Sequence, residues 1–320
     1  MAKFFLYTCN NLPALAELFL HFRRKHSNEF RSENIFISEE ITVPTRGISI
    51  WLEQFLVKNN EIIANIDFQY TLGKIEQILD FYFSDDKSYM PELFTVDVMS
   101  WRIMKILRHD SSPEFDQLKD YLSKSSSDGI NSSPEASDIN LYELSRQVAE
   151  VFNAYMIYKP EMLSRPELLD EKQRLDESDW QAALWEKLCQ HDGKKISSPA
   201  HKIVDFLTTE NFPNIKEHLV PQTVFGVSTM SPVFLKVFKK LAKFSIVHFF
   251  YLNPCDEFWA DQKSGRSILK SSEPVDLDKK FENTLLGDFG IQGREFFKSI
   301  LDLDGVYEYD VEVPFNFEEF

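Results

Sequence analysis

The chain has 320 residues, 43% hydrophobic and 27% charged with 29 Phe, enough to bury a large core and too long for one core alone, so two packed units are expected. Its 35 Lys and Arg face 51 Asp and Glu, and the net charge of -16 excludes autonomous, tight duplex binding; a local basic lining stays open because screening acts over roughly 8 Å. Three cysteines, Cys9, Cys189 and Cys255, exclude a disulfide framework or paired zinc-ligand spacing and fit a reducing cytoplasm.

The opening Met1 to Tyr7 is too short an apolar run for a signal peptide, and no later stretch approaches the ~20 apolar residues of a membrane span, so a cytoplasmic protein without membrane contact is expected. Lys3 to Thr8 reads as a buried strand. Asn11 then caps a helix whose apolar face is Leu12, Leu15, Leu18, Phe19 and Phe22. Ile35 to Val43 is a second β-rich segment, and the spacing Ile48, Trp51, Leu52, Phe55, Leu56 predicts a helix after Gly47.

From Thr71 to about Glu217 the pattern is helical. One helix covers Thr71 to Phe83 and another carries Met99, Trp101, Met104 and Leu107. A long helix begins near Asn140 with the stripe Leu141, Leu144, Val148, Val151, Phe152, Tyr155; Asn140 and Glu143 are placed as a capping pair and Pro160 marks its end. The polar run Ser123 to Ser137 reads as a loop, too poor in apolar residues to offset its ordering entropy. Ser178 with Gln181 opens a further helix that turns Trp180, Leu184 and Leu188 inward.

Strand signals return at Thr223 to Ser228 and at Ser245 to Leu252. Between them a helix starting at Ser231-Pro232 buries Phe234, Val237, Phe238 and Leu241, which makes a βαβ unit with a parallel crossover. The expected architecture is an α/β parallel sheet, residues 1–70 and 218–320, interrupted by an all-helical insertion at 71–217.

Catalytic signatures are weak. The turn after the first strand, Thr8-Cys-Asn-Asn-Leu-Pro-Ala14, has neither glycine nor lysine to cradle a polyphosphate, and Pro13 removes a backbone donor, so no nucleotide cofactor is expected. Asp256, Asp261 and Lys263 carry the letters of a metal nuclease at too tight a spacing, and a solvated loop explains them better. The seven histidines lie near no nucleophile in a recognisable elbow. Three basic clusters, His21 to His26, Arg102 to Arg108 and Lys236 to Lys243, read either as solvated helix faces or as phosphate contacts. Arg46 with Trp51, and Tyr155 and Tyr158 with Lys159, pair aromatics with cations as single-strand sites do, although Trp51 and Tyr155 sit on apolar stripes where core packing is the expected role.

The segments Ile63 to Phe68, Met99 to Trp101, Ala154 to Pro160, Trp180 to Trp185 and Phe225 to Pro232 occur in an order that resembles the RecC family. Asn253-Pro-Cys255 with Trp259, then Leu285-Leu286 to Gly293-Arg294-Glu295, continue the resemblance to about residue 303. It covers the N-terminal portion of such subunits, so the chain is expected to be part of a longer one. The resemblance implies a RecA-like, inactivated superfamily 1 helicase-like domain, the gamma subunit of exodeoxyribonuclease V. Such a subunit has no catalytic site of its own, partners RecB and RecD, and guides the 3′-ended DNA strand through a channel that scans for Chi.

Family channel positions fall around Val43, Gly47, Trp51 and Leu52. There the family's polar readers correspond to Pro44, Arg46 and Ile50, so their glutamine and threonine chemistry is not kept. Further family contacts fall at Tyr70 and Glu76, of which the first can stack, then at Glu150, Val151 and Asn153, and a family arginine corresponds to Lys159. The resemblance therefore implies a DNA route through Arg46, Ile50, Tyr70, Glu150, Val151, Asn153 and Lys159, with altered reading groups.

Overall fold

The computed structural model describes residues 3–25, 36, 38–127, 134–164, 180–210, 221–254, 259, 289–303 and 306–310. In chain order its elements are β1 (Lys3–Cys9), α1 (Leu12–Lys25), β2 (Glu39–Val43), α2 (Arg46–Lys58), β3 (Ile66–Tyr70), α3 (Thr71–Phe83), α4 (Val96–His109), α5 (Asp116–Ser127), α6 (Pro134–Tyr158), α7 (Glu161–Ser164), α8 (Trp180–Leu188), β4 (Gln190–His191), β5 (Lys194–Lys195), α9 (Pro199–Thr208), β6 (Gln222–Val227), α10 (Pro232–Leu241), β7 (Ile246–Leu252), α11 (Ile291–Leu301) and β8 (Val306–Asp310). They form two compact units, Met1–Ile75 with Asn211–Phe320, and Glu76–Glu210.

The first unit is an α/β fold of the RecA-like class, a six-stranded sheet in the order β3-β2-β6-β7-β1-β8 with every neighbouring pair parallel. Parallel sheets are covered on both faces, which explains why β6 and β7 read as near-continuous apolar runs. Alternation assigns the faces. Tyr7, Ile41, Val43, Phe225 and Phe250 pack with Leu15, Phe19, Leu52 and Leu56 of α1 and α2. On the opposite face Phe249 and Tyr251 meet Phe296 of α11, with ring centroids 6.2 and 5.8 Å apart. The strand at Ile66–Tyr70 has no counterpart in the sequence reading; its residues are only half-buried, as at a sheet edge, and carry a weak apolar signal.

Charged groups hold this unit together from within. Arg23, 1% exposed in the last turn of α1, donates from Nε to Glu39 Oε1 (2.9 Å) and from a terminal nitrogen to Glu39 Oε2 (2.8 Å). It also pairs with Glu61, whose other oxygen accepts from Arg24 at 2.9 Å. The end of α1 is thereby fastened to the start of β2 and to the α2–β3 connection. On the other face buried Lys74 pairs with Glu40, which also accepts from Gln222 at 2.8 Å.

The second unit is helical around one core. Met99, Ile103 and Leu107 of α4, Val148, Phe152 and Met156 of α6, and Leu184, Trp185 and Leu188 of α8 are buried together. The Phe152 and Trp185 rings lie 5.2 Å apart, and Trp185 Nε1 donates to the Leu163 carbonyl at 2.9 Å.

Three local expectations need correction here. The long helix starts at Pro134 instead of Asn140, so Asn140 and Glu143 lie inside it; proline's fixed φ suits a first helical turn. The Ser123–Ser137 loop shrinks, because α5 runs through Ser127 and α6 begins at Pro134; serine and lysine are only weakly disfavoured in helices, and neighbouring turns carry them. Val151 (44% exposed) does not point into the core, since it lies about 100° of helical rotation from buried Phe152; Trp101 on α4 is 61% exposed. The residues Ser178, Cys255, Asp256, Asp261 and Lys263 lie outside the described residues. Among the described residues no helix is long and apolar enough to cross a membrane.

Candidate nucleic-acid interface

In the first unit the candidate residues gather at the carboxyl ends of β2 and β3. Val43 and Tyr70, the last residues of these strands, are register partners. The chain leaves Val43 through Pro44 and Thr45; the Thr45 hydroxyl accepts from the Ile48 N–H at 3.4 Å and caps α2, so Arg46 takes its first helical position. Ile50, one turn on, shares the outer face with Arg46 and is 43% exposed; Tyr70 is 48% exposed. Arg46 is exposed and its guanidinium has no hydrogen-bond or ion-pair partner among the described residues. Open parallel sheets bind ligands on the side of the carboxyl ends of their strands, the side on which Val43 and Tyr70 end β2 and β3.

The turn after β1 uses backbone donors within the fold. Asn11 Oδ1 accepts from the Ala14 N–H at 3.1 Å, its carbonyl accepts from the Leu15 N–H at 2.9 Å, and the Cys9 carbonyl accepts from the Asn253 N–H at 2.9 Å. A side-chain cap takes a helix donor that a phosphate-binding loop would leave for its ligand. Among the described residues no group of three or more His, Cys, Asp or Glu is placed to hold a metal ion.

The remaining candidates lie in the second unit on α6 and just past it. Glu150 is exposed and accepts from Arg146 Nε at 3.3 Å. Asn153, half-buried, shares its flank at i+3, whereas exposed Val151 lies 100° round the helix. Lys159 is exposed beside exposed Tyr158, and its ammonium has no partner among the described residues. Tyr155 instead packs against the core and donates its hydroxyl to Gln181 Oε1 at 3.2 Å. Trp51 stacks on Phe55 at 5.5 Å against the first unit's core, so neither aromatic is offered to a strand. Glu76 sits on α3 in the second unit, exposed, its carboxyl pushed up by partial burial and by Asp80.

Two basic clusters change meaning. Arg23 and Arg24 are consumed by Glu39 and Glu61, so the cluster at His21 to Lys25 is a clamp and offers phosphate neither cation. Arg102 donates to the carbonyls of Leu93 (3.1 Å), Leu188 (2.6 Å) and Gln190 (3.0 Å), its guanidinium 5.6 Å from the Phe94 ring centre. Burial lowers its pKa from the ordinary value, against the pull of nearby Cys189. Lys105 and Lys236 remain exposed, whereas Lys240 is buried.

Sequence reasoning missed a two-residue hairpin, β4–β5, whose turn residues Asp192 and Gly193 have φ of 50° and 72°. The Asp-Gly pair is the signal that would have found it, because such a turn needs positive φ at both positions.

A sequence model of the RecC N-terminal domain matches residues 4–313. The chain belongs to the RecC N-terminal domain family. It is 26% identical over 320 residues to the RecBCD enzyme subunit RecC of Escherichia coli K12, a match covering 88% of this chain and 27% of that protein. The Haemophilus influenzae RecBCD subunit RecC is 24% identical over 88% of this chain and 26% of its own length, and that of Mycolicibacterium smegmatis 21% over 81% and 22%. The chain thus spans about a quarter of the length of these relatives.

Proposed function

We propose that the chain is the N-terminal part of a non-catalytic, DNA-handling subunit of a cytoplasmic exodeoxyribonuclease V complex that repairs and recombines broken DNA, with RecB- and RecD-type partners. In this reading it lines part of the route of the 3′-ended strand that is scanned for Chi. What carries the reading is exposed Arg46, without a side-chain partner among the described residues, near Ile50 and Tyr70 at the carboxyl edge of a sheet whose first turn is capped by its own asparagine. Arg46 and Lys159 contact phosphates, and phosphate contacts position a strand without specifying its sequence.

Filter binding of a labelled mixed-sequence single strand to the chain tests this. Arg46→Ala with Lys159→Ala is expected to weaken binding and to flatten the salt slope by roughly 0.7 per lost contact. Retained affinity and slope would remove both residues from the route. The net charge of -16 favours a second reading, an adaptor that holds its partners without touching DNA. Absence of any binding by the parent chain at low salt selects that reading.

A further inference from the structure

An apolar strip faces solvent where two helices of the second unit meet. Trp101 of α4 is mostly exposed, with its ring centre 5.0 Å from that of Tyr142 of α6 at an interplanar angle of 41°. The helices run antiparallel here, because Arg108, further along α4 than Trp101, reaches Asp138, which precedes Tyr142 on α6. Val98, one turn before Trp101, and Ile139, one turn before Tyr142, therefore extend the strip in opposite directions, and both are exposed. An outer groove between two packed helices is where a bundle accepts a third. Leaving Trp and Tyr together in water there leaves an anchor for a protein partner, since these two side chains dominate such interfaces.

Charge decides what kind of partner. Residues 76–210 carry 26 Asp and Glu against 15 Lys and Arg, so the second unit holds -11 of the chain's -16 and draws cations. The groove itself follows suit. Asp97, one turn from Trp101, and Glu143, next to Tyr142, are exposed and have no partner among the described residues; Lys105, one turn to the other side of Trp101, is a lone cation in the same state. Asp138 and Glu150 are held by Arg108 and Arg146 in pairs exposed at both ends. Each such pair is worth little in water, so an incoming cation can take its carboxylate. An exposed indole face also attracts a cation in its own right.

We infer that the outer groove of α4 and α6 docks a basic amphipathic helix of a partner protein. The apolar face of that helix buries Val98, Trp101, Tyr142 and Ile139, and its lysines or arginines meet Asp97, Glu143 and the indole. No contact with DNA is needed, so this inference stands apart from the DNA-handling reading.

Fluorescence anisotropy of a dye-labelled peptide of leucine and lysine at helical spacing, added to the full chain, tests it. The peptide is expected to bind, and its counterpart with glutamate for lysine is not. Trp101→Ala should weaken binding by roughly fivefold to thirtyfold. Asp97→Asn with Glu143→Gln should weaken it less and flatten its salt dependence, while Arg108→Ala, which frees Asp138, should tighten it. Unchanged melting temperatures show that the variants fold. Parental affinity in Trp101→Ala overturns the inference, because general attraction to an acidic chain then explains the binding. Equal binding of the glutamate peptide, or no binding of the lysine peptide at low salt, overturns it as well. So does a labelled mixed-sequence single strand that loses affinity with Trp101→Ala, which assigns the groove to nucleic acid. Arg46→Ala with Lys159→Ala should leave peptide binding unchanged, so either reading can fail while the other stands.

Discussion

Arginine ion pairs sit at different depths in the two units. In the first, cations are drawn under the surface: Arg23 is clasped by Glu39 and Glu61, and Lys74 by Glu40. In the second, Arg108 of α4 and Arg146 of α6 stay at the surface and pair with exposed Asp138 and Glu150, although Arg102 turns inward and Lys202 is buried against Asp86. Buried pairs fix how an α1 or an α3 docks onto a sheet, whereas exposed pairs leave charge free for an arriving ligand. A basic cluster in the sequence therefore says nothing of function until its burial is known.

Arg23→Ala should give the largest effect on the first unit. It leaves Glu39 and Glu61 in the interior without their cation, and removing one member of a buried pair costs about 3–5 kcal/mol. Urea unfolding followed by circular dichroism measures it; a loss below about 1 kcal/mol would show that water reaches these carboxylates and that the contrast between the units is false.

Phe152→Ala probes the other side of the comparison. The second unit is held by its apolar core, so this truncation should cost roughly 3–5 kcal/mol through lost burial and the cavity left against Trp185. If the units unfold independently, only one of two melting transitions moves.

A smaller effect is expected from pH. His201 caps α9 in its neutral form: Ser198 Oγ lies 2.8 Å from Nδ1, and the Ser198 N–H donates to the same nitrogen at 3.3 Å. Burial is the main cause that pushes the His201 imidazole below its ordinary value; Lys195 and Lys202 reinforce it and Asp205 opposes it. The sign follows. The unfolded chain binds the proton at higher pH than the folded one, so the cap is intact above the unfolded value and lost as pH falls through the depressed folded value. Melting temperature should drop between pH ~7.5 and pH ~5, and His201→Gln, still an acceptor for a capping box, should flatten the drop. Asp86, held at about 2 chiefly by Lys202 and then by Ser88, stays ionised across that window. An equal slope in His201→Gln rules the histidine out.

The sequence revealed the middle of the sheet and the helical core well, because β6, β7 and α10 are mostly apolar where they pack, and Phe152 repeats at helical spacing with Val148 and Tyr155. Edge elements were illegible. β3 buries too little to show alternation, and α6 starts inside a polar run that composition marks as loop. Of the candidate site, Arg46 and Lys159 came from family positions, and solvent exposure is what keeps them available. Val151 was misread because periodicity places a residue within a stripe only to about one residue, and one residue is 100° on a helix.

The smallest expected effect sharpens the contrast most, since it pits one arginine against another. Arg108 donates to Asp138 at 2.6 Å, a shorter contact than either of the quoted bonds from Arg23 to Glu39. Distance alone would rank Arg108 first. Both partners, however, are well exposed, so water recovers most of what the pair gives, and holding two long side chains together costs rotamer freedom. Arg108→Ala should therefore change stability by no more than about 0.5 kcal/mol, and that change should vanish in about 1 M salt, where the screening length is roughly 3 Å. The Arg23→Ala loss should persist in the same salt, because ions do not enter the space between α1 and β2. A salt-resistant loss above about 1 kcal/mol for Arg108→Ala would mean that the α4–α6 surface is structural, and would leave that face without the exchangeable carboxylate an arriving cation requires.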